Sequence, residues 1–209
     1  MALSKIQPAS MDLTANYAFT GTNSIPSASS GTYAEKKLAT LTASSSNTLS
    51  FTSNIDSTYN IYKFRFINIH GSEDRKNFLV NFRDGGSNFD ATKTTTFFQA
   101  SHKEDNSEAQ VSYNTSGDLA QSTSAANLDR FVGSDADQHI CGELFLFDPS
   151  STTFVKHFIA RSATIEGNDS TQDAFLAGYC NVTAAIDGVQ FSMSSGNIDS
   201  GTIEMYGIN

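Results

Sequence analysis

What most constrains this chain is its punctuation. From about residue 36 onward, short runs of alternating apolar and polar side chains are cut roughly every 8 to 14 residues by clusters of Gly, Pro, Asn, Asp and Ser. No stretch of useful length carries the 3.6-residue period of an amphipathic helix. Parallel strands need crossovers of a dozen residues or more, usually helical, and the spacing leaves no room for them. The expectation is an all-β protein of roughly ten to twelve strands, an antiparallel β-sandwich that is jelly-roll-like.

The segments differ in how much they say. "LFLFDPSSTTFVKHFIA" is the strongest local hairpin, with Pro149 set for a tight turn between two apolar runs. "TKTTTFFQASH" and "AQVSYNT" read as a second pair, joined by the charged turn "KEDNSE". "KLATLTA" and "TLSFTS", linked by "SSSN", read as a third hairpin, and the closing "FSMSSGNIDSGTIEMYGIN" as a fourth with Ser194 to Gly201 as its exposed turn. In that last segment Phe191, Met193, Ile203 and Met205 belong to a core face. Tyr206 and Ile208 lie on the opposite face, which marks them as a candidate assembly face. "DGGSNFD" ends a strand with two glycines able to take positive φ. Residues 115–137 have little period and read as a long surface connection with one strand or turn near Leu128 to Val132.

Residues 1–35 are different in kind. Their apolar residues are sparse among Ser, Thr, Ala and Asn, and neither helical nor strand period is sustained. They are expected to form an extended N-terminal attachment arm, with Leu3, Ile6, Leu13, Tyr17 and Phe19 as its anchors, ahead of a single sandwich domain at 36–209.

Composition narrows the partners. The chain is 38% hydrophobic and 17% charged, so the good surface helix formers are scarce while Phe, Tyr and Thr suit pleated, half-buried faces. A formal net charge of −9 argues against nucleic acid and against an anionic membrane surface. The one basic cluster, "EDRKNFLVNFR", carries acids too and reads as a solvated face. No apolar run reaches the roughly 18 residues of a membrane span, and "MALSKIQPAS" lacks the apolar core of a signal peptide, so the expectation is a chain made in a cytoplasm without membrane insertion.

Chemistry is sparse. His70, His102, His139 and His157 have none of the spacings that put two metal ligands on one helical face. The acidic groups Asp135, Asp137 with His139, and Glu166, Asp169 with Asp173, lack the ligand order of a calcium loop and read as solvated loops. Cys141 and Cys180 read as two small buried side chains, with a cross-strand disulfide as the alternative if their strands are neighbours. No nucleophile elbow is present, and no metal, cofactor or catalytic residue is expected. Carboxylate pairs for glycoside chemistry depend on three-dimensional separation and stay open. Aromatic platforms bind sugars, and the absence of Trp lowers that option while leaving Tyr33, Tyr113 and Tyr179 as candidate glycan contacts.

"DLTANYAFTGT", "LTASSSNTLSFTSNIDSTYNIYKFRFINIH", "DGGSNFDATKTTTFFQASH", "GDLAQST", "FDPSSTT" and "SSGNIDSGTIEMYGI" together resemble a group of virion structural proteins of tailed phages of marine bacteria. The resemblance spans nearly the whole chain. It implies a non-enzymatic, tail-fibre-like component, assembled in the host cytoplasm and resident in the virion, with other virion proteins and a host-surface glycan as partners and a homotrimer as its assembly. Capsid decoration or a head fibre held by the arm, and a carbohydrate-binding module, are the competing readings. The chain departs from the family pattern at "HGSEDRKNF" and in having Cys141 and Cys180.

Overall fold

The structure, a computed structural model, describes residues 35–209. The expected arm anchors Leu3, Ile6, Leu13, Tyr17 and Phe19, and the candidate Tyr33, lie outside the described residues. Twelve strands follow in order: β1 (Lys36–Thr42), β2 (Thr48–Phe51), β3 (Ile61–Gly71), β4 (Lys76–Arg83), β5 (Lys93–Lys103), β6 (Ala109–Tyr113), β7 (Ala126–Val132), β8 (Ile140–Phe147), β9 (Lys156–Glu166), β10 (Ser170–Cys180), β11 (Gly188–Met193) and β12 (Ile198–Ile208). One short 3-10 turn, Thr115–Gly117, interrupts them, its open end capped by the Asn114 side chain.

Every pairing is antiparallel. The twelve strands form one hydrogen-bonded sheet that folds into two layers, an eight-stranded one in the order β1-β12-β3-β8-β9-β10-β5-β6 and a four-stranded one, β7-β4-β11-β2. The layers join only where Val132 of β7 meets Glu166 of β9. The logic is that of a wrapped ribbon: β1 pairs with β12, β2 with β11, β3 with β8 and β4 with β7. Folding that ribbon brings β12 against β3 and β11 against β4. The result is the expected jelly-roll sandwich, with β9, β10, β5 and β6 extending one sheet beyond it.

Strand alternation supplies the core. Phe191 of β11 stands at its centre, with ring centroids of Phe51, Phe64, Phe66 and Phe78 at 5.4 to 6.3 Å. Phe64 and Phe66 come from the opposite sheet, so this cluster is where the two layers interlock. Phe82 of β4 meets Phe158 of β9 at 4.7 Å and extends the contact under the added strands. Beyond it the interior turns polar. Lys93, Cys180 and Lys156 form one fully buried row across β5, β10 and β9, each lysine donating to a carbonyl, Ser124 O at 2.8 Å and Val182 O at 2.9 Å. Burial pushes the Lys93 ammonium down to about 8 and the Cys180 thiol up to about 12. Under β7, the buried Asp129 carboxylate accepts from Gln172 Nε2 and from the Arg130 amide.

Several expectations change here. The "SSSN" link and the closing Ser194–Asn197 turn join no hairpins: β1 and β12 lie in the large sheet, β2 and β11 in the small one. Both links are arches that carry the chain from one layer to the other. The closing turn is also shorter than expected, because Ile198 is already buried in β12. The strand expected near Leu128 to Val132 within the stretch 115–137 is β7, which starts earlier, at Ala126, and opens on four successive buried residues, Ala126, Asn127, Leu128 and Asp129. Its polar members have partners, Asn77 for Asn127 and Gln172 for one oxygen of Asp129, whose other oxygen is buried without one. Glu166 and Asp173 belong to strands β9 and β10 rather than to a solvated loop, and Glu166 is buried. Cys141 and Cys180 are both free; β9 separates their strands, which rules out the cross-strand bond, and Cys141 is only half-buried. The hairpins β5–β6 and β8–β9 are as expected, and Gly85 and Gly86 take φ of 95° and 74°.

Candidate functional site

On β8, β9, β10 and the first part of β5 the inward row is buried and the outward row is not, whereas β6 has no buried residue on either face. On β8, Leu144 and Leu146 face the core while Glu143, Phe145 and Phe147 face out; on β9 the outward residues are His157, Ile159, Arg161 and Ala163. β10 turns out Thr171, Asp173, Phe175, Ala177 and Tyr179, and β5 turns out Thr94, Thr96 and Phe98. The register aligns these into cross-strand rows. One runs Tyr206, Lys63, Phe145, Ile159, Ala177, Thr96. The next runs Glu204, Arg65, Glu143, Arg161, Phe175, Phe98, Tyr113.

Together these rows floor a groove of about 330 Å³, lined by Phe98, Phe145, Ile159, Phe175, Ala177 and the stems of Glu143 and Arg161. The floor is apolar yet open to solvent: Phe98 is 43% and Ile159 48% exposed. Phe98 and Phe175 stack at 4.7 Å with their planes 5° apart. The Arg161 guanidinium lies 5.0 Å from the Phe175 ring and is held there by Asp173 through two hydrogen bonds of 2.9 and 2.7 Å. This fork is planar and preorganised, which suits recognition of planar or hydroxylated ligands. Tyr113 closes the far end, donating to Asp118 at 2.6 Å and accepting from Thr96 at 3.3 Å.

Two neighbouring depressions continue the same face. One, about 310 Å³, lies between Thr94, His157, Ile159 and Tyr179, with the His157 and Tyr179 rings 5.9 Å apart. The other, about 640 Å³, is charged and holds Arg65, Glu143, Arg161 and Asp173 beside Cys141. Toward β1 and β12 the face is an ion lattice. Lys63 sits between the rings of Phe145 and Tyr206 and pairs with Glu35, which Arg65 also approaches at 3.6 Å. Hydrogen bonds from Lys37 and Tyr206 hold the Glu204 carboxyl below the usual carboxylate range, and the same bond pushes the Tyr206 phenol up.

The sequence candidates that are described converge on this one face. Tyr113, Tyr179, Tyr206 and Ile208 all lie on the outer side of the eight-stranded sheet, on β6, β10 and β12. The residues marked as a candidate assembly face and those marked as candidate glycan contacts therefore share a single surface. Tyr113 edges the groove, Tyr179 packs on His157, and Tyr206 is bound into the ion lattice by Glu204 at 2.5 Å. The residues that reasoning from sequence missed are Phe98, Phe145, Ile159, Arg161 and Phe175. Their signal was present in "LFLF" and "TFFQA", where an uninterrupted apolar run means that both faces of a strand carry apolar groups.

The face holds apolar floor, aromatic rings and locked ion pairs, the equipment of noncovalent binding. Cys180, the buried thiol, points to the interior, and among the described residues no three His, Cys, Asp or Glu side chains are grouped to hold a metal. No family model and no curated protein matches the chain. Fold and site together define an antiparallel jelly-roll sandwich whose extended sheet carries an open apolar groove on its outer face.

Proposed function

We propose that this chain is a non-enzymatic structural protein of a phage virion, a tail-fibre-like appendage subunit that presents the outer face of its extended sheet to a host-surface glycan. The observation that carries the reading is the open groove over Phe98, Phe175 and Ile159, bordered by Tyr113 and the Arg161–Asp173 fork. Exposed contiguous apolar surface rimmed by polar groups marks an interaction site. Sugar rings offer the matching chemistry, apolar C–H faces for the aromatic floor and hydroxyls for the guanidinium, the carboxylates and the tyrosine. The resemblance to marine phage virion proteins supplies the setting.

Two measurements test it. Gold-labelled antibody against the chain, imaged on purified virions, is expected at the tail; label over the capsid would instead favour decoration of the shell. Glycan-array binding is expected for the wild-type chain, with Phe175→Ala weakening it about tenfold, or about 1.4 kcal/mol. An array without binding, or an undiminished Phe175→Ala variant, would count against the glycan role.

A further inference from the structure

Four strands end sheets in this fold: β1 and β6 close the eight-stranded sheet, β2 and β7 the four-stranded one. A bare edge is a template for another strand, and proteins blunt edges with charge, proline, bulges or brevity. β1 opens on Lys36 and Lys37 and shifts register between Lys37 and Ala39. β2 is only four residues long. β7 meets β4 through two register shifts, carries Asp129 and Arg130, and is fastened to β9 at Val132. β6, "AQVSY", is five residues long, one more than β2, and is otherwise unprotected: it is uncharged, free of proline, and in unbroken register with β5. Among the described residues, nothing pairs with its other edge.

The β5–β6 ladder decides which backbone groups that edge offers. Lys103 N donates to Glu108 O at 2.9 Å and Asn114 N to Phe97 O at 3.1 Å. Hydrogen-bonded and non-hydrogen-bonded pairs alternate along an antiparallel ladder. Glu108, Gln110, Ser112 and Asn114 therefore turn their N–H and C=O groups toward β5, and Ala109, Val111 and Tyr113 turn theirs outward. The side chains of those same three residues lie on the outer face, opposite His102, Ala100 and Phe98. Val111 is 79% and Tyr113 61% exposed.

We infer that β6 is a self-pairing edge whose occupant is β6 of a second copy, antiparallel about a two-fold axis through Val111. The outward groups are symmetric about Val111. The two-fold therefore sets Val111 against the partner's Val111 and Ala109 against the partner's Tyr113, so each outward N–H meets an outward C=O. Gln110 then faces the partner's Ser112, and Glu108 faces the partner's Asn114, so no like charges are opposed. An isologous contact of this kind closes on itself as a dimer, in place of the trimer that the family resemblance implies. Directly opposed residues of a ladder share a face. The dimer is thus one continuous sheet with both grooves on the same side, able to engage one surface at two points.

This inference rests on the strand edge and not on the virion reading, and its test is a mass. Light scattering of the full 209-residue chain across a concentration series is expected to reach twice the mass of one chain. In that dimer, exchange of the Val111 amide hydrogen is slowed. Val111→Pro deletes an outward N–H, which an edge position tolerates, and leaves the bonds to β5 in place. It is expected to give single-chain mass with an unchanged far-ultraviolet circular dichroism spectrum. Should that variant fail to fold, Val111→Lys, which sets two like charges on the axis, serves with the same readout. A wild-type chain that stays single at every concentration, a threefold mass, or a folded variant that remains a dimer would each overturn the inference. None of these results bears on glycan binding by a single copy, so the two proposals fail separately.

Discussion

Asp129 is a carboxyl group with no exposed surface and only part of its hydrogen-bonding capacity used: Oδ1 is engaged while Oδ2 has no partner. Burial pushes it up to about 7, with Glu166 adding in the same direction. An acid shifted this way stabilises the fold least when ionised. Below pH 4 the carboxyl is protonated folded and unfolded alike; between about 4 and 7 the unfolded chain gives up the proton first, so stability falls as pH rises and levels off above 7. The shift spans about three pH units, a difference of roughly 4 kcal/mol across the window. Asp129→Asn is expected to flatten this slope, read as urea midpoints at pH 5 and pH 8; equal slopes in the two proteins would contradict it. At the sandwich centre the controlling residue is Phe191. Phe191→Ala, which removes the ring that four others surround, is expected to cost about 3 to 5 kcal/mol in denaturant unfolding.

Single strands explain less than their junctions do. Where β12 enters the large sheet, register shifts lie on both sides of Ser200, and Gly201 sits at φ 108° with Asn68 O only 2.4 Å from where a Cβ would stand. Gly201→Ala is therefore expected to destabilise by about 1 to 3 kcal/mol, visible as a lowered thermal midpoint. A midpoint equal to wild type would mean that the bulge can relax. The outer face behaves differently. Arg161 and Asp173 are a surface pair, and exposed pairs contribute little to stability. Arg161→Ala should leave the midpoint unchanged while weakening any ligand that uses the fork, which separates a binding element from a folding one.

At the scale of the whole molecule, the partners are far apart in sequence. β1 pairs with β12 and β2 with β11, so the ribbon closes only when both ends of the domain are present. Loop closure must precede reward in such a topology, and folding is slow, on the order of milliseconds to seconds. β12 is also paired on both sides, by β1 and β3. A chain ending at Asn197 is expected to lack the dispersed amide spectrum of the intact protein, because loss of β12 leaves β1 without a partner and bares the long edge of β3; a well-folded truncation would show the remaining strands to be self-sufficient.

What the sequence determined by itself was the class of fold and the inward face of those strands whose side chains alternate. Alternation in "FSMS", "NFLVNF" and "TIEMY" is local, so it names which side chains turn inward without any knowledge of partners. It also put Tyr206 and Ile208 opposite the core and let the continuous run "LFLF" hint at a strand with two apolar faces. Pairing was not legible, since an arch and a hairpin can share the same Ser- and Gly-rich link, and "SSSN" and "SSGN" are arches because β1 pairs with β12 in one layer and β2 with β11 in the other. Only the tertiary structure decided that Phe98, Phe145, Ile159, Arg161 and Phe175, drawn from four strands, lie side by side as one groove. The reason is register: adjacency across a sheet depends on which residues of distant strands stand opposite each other, and no single strand carries that information.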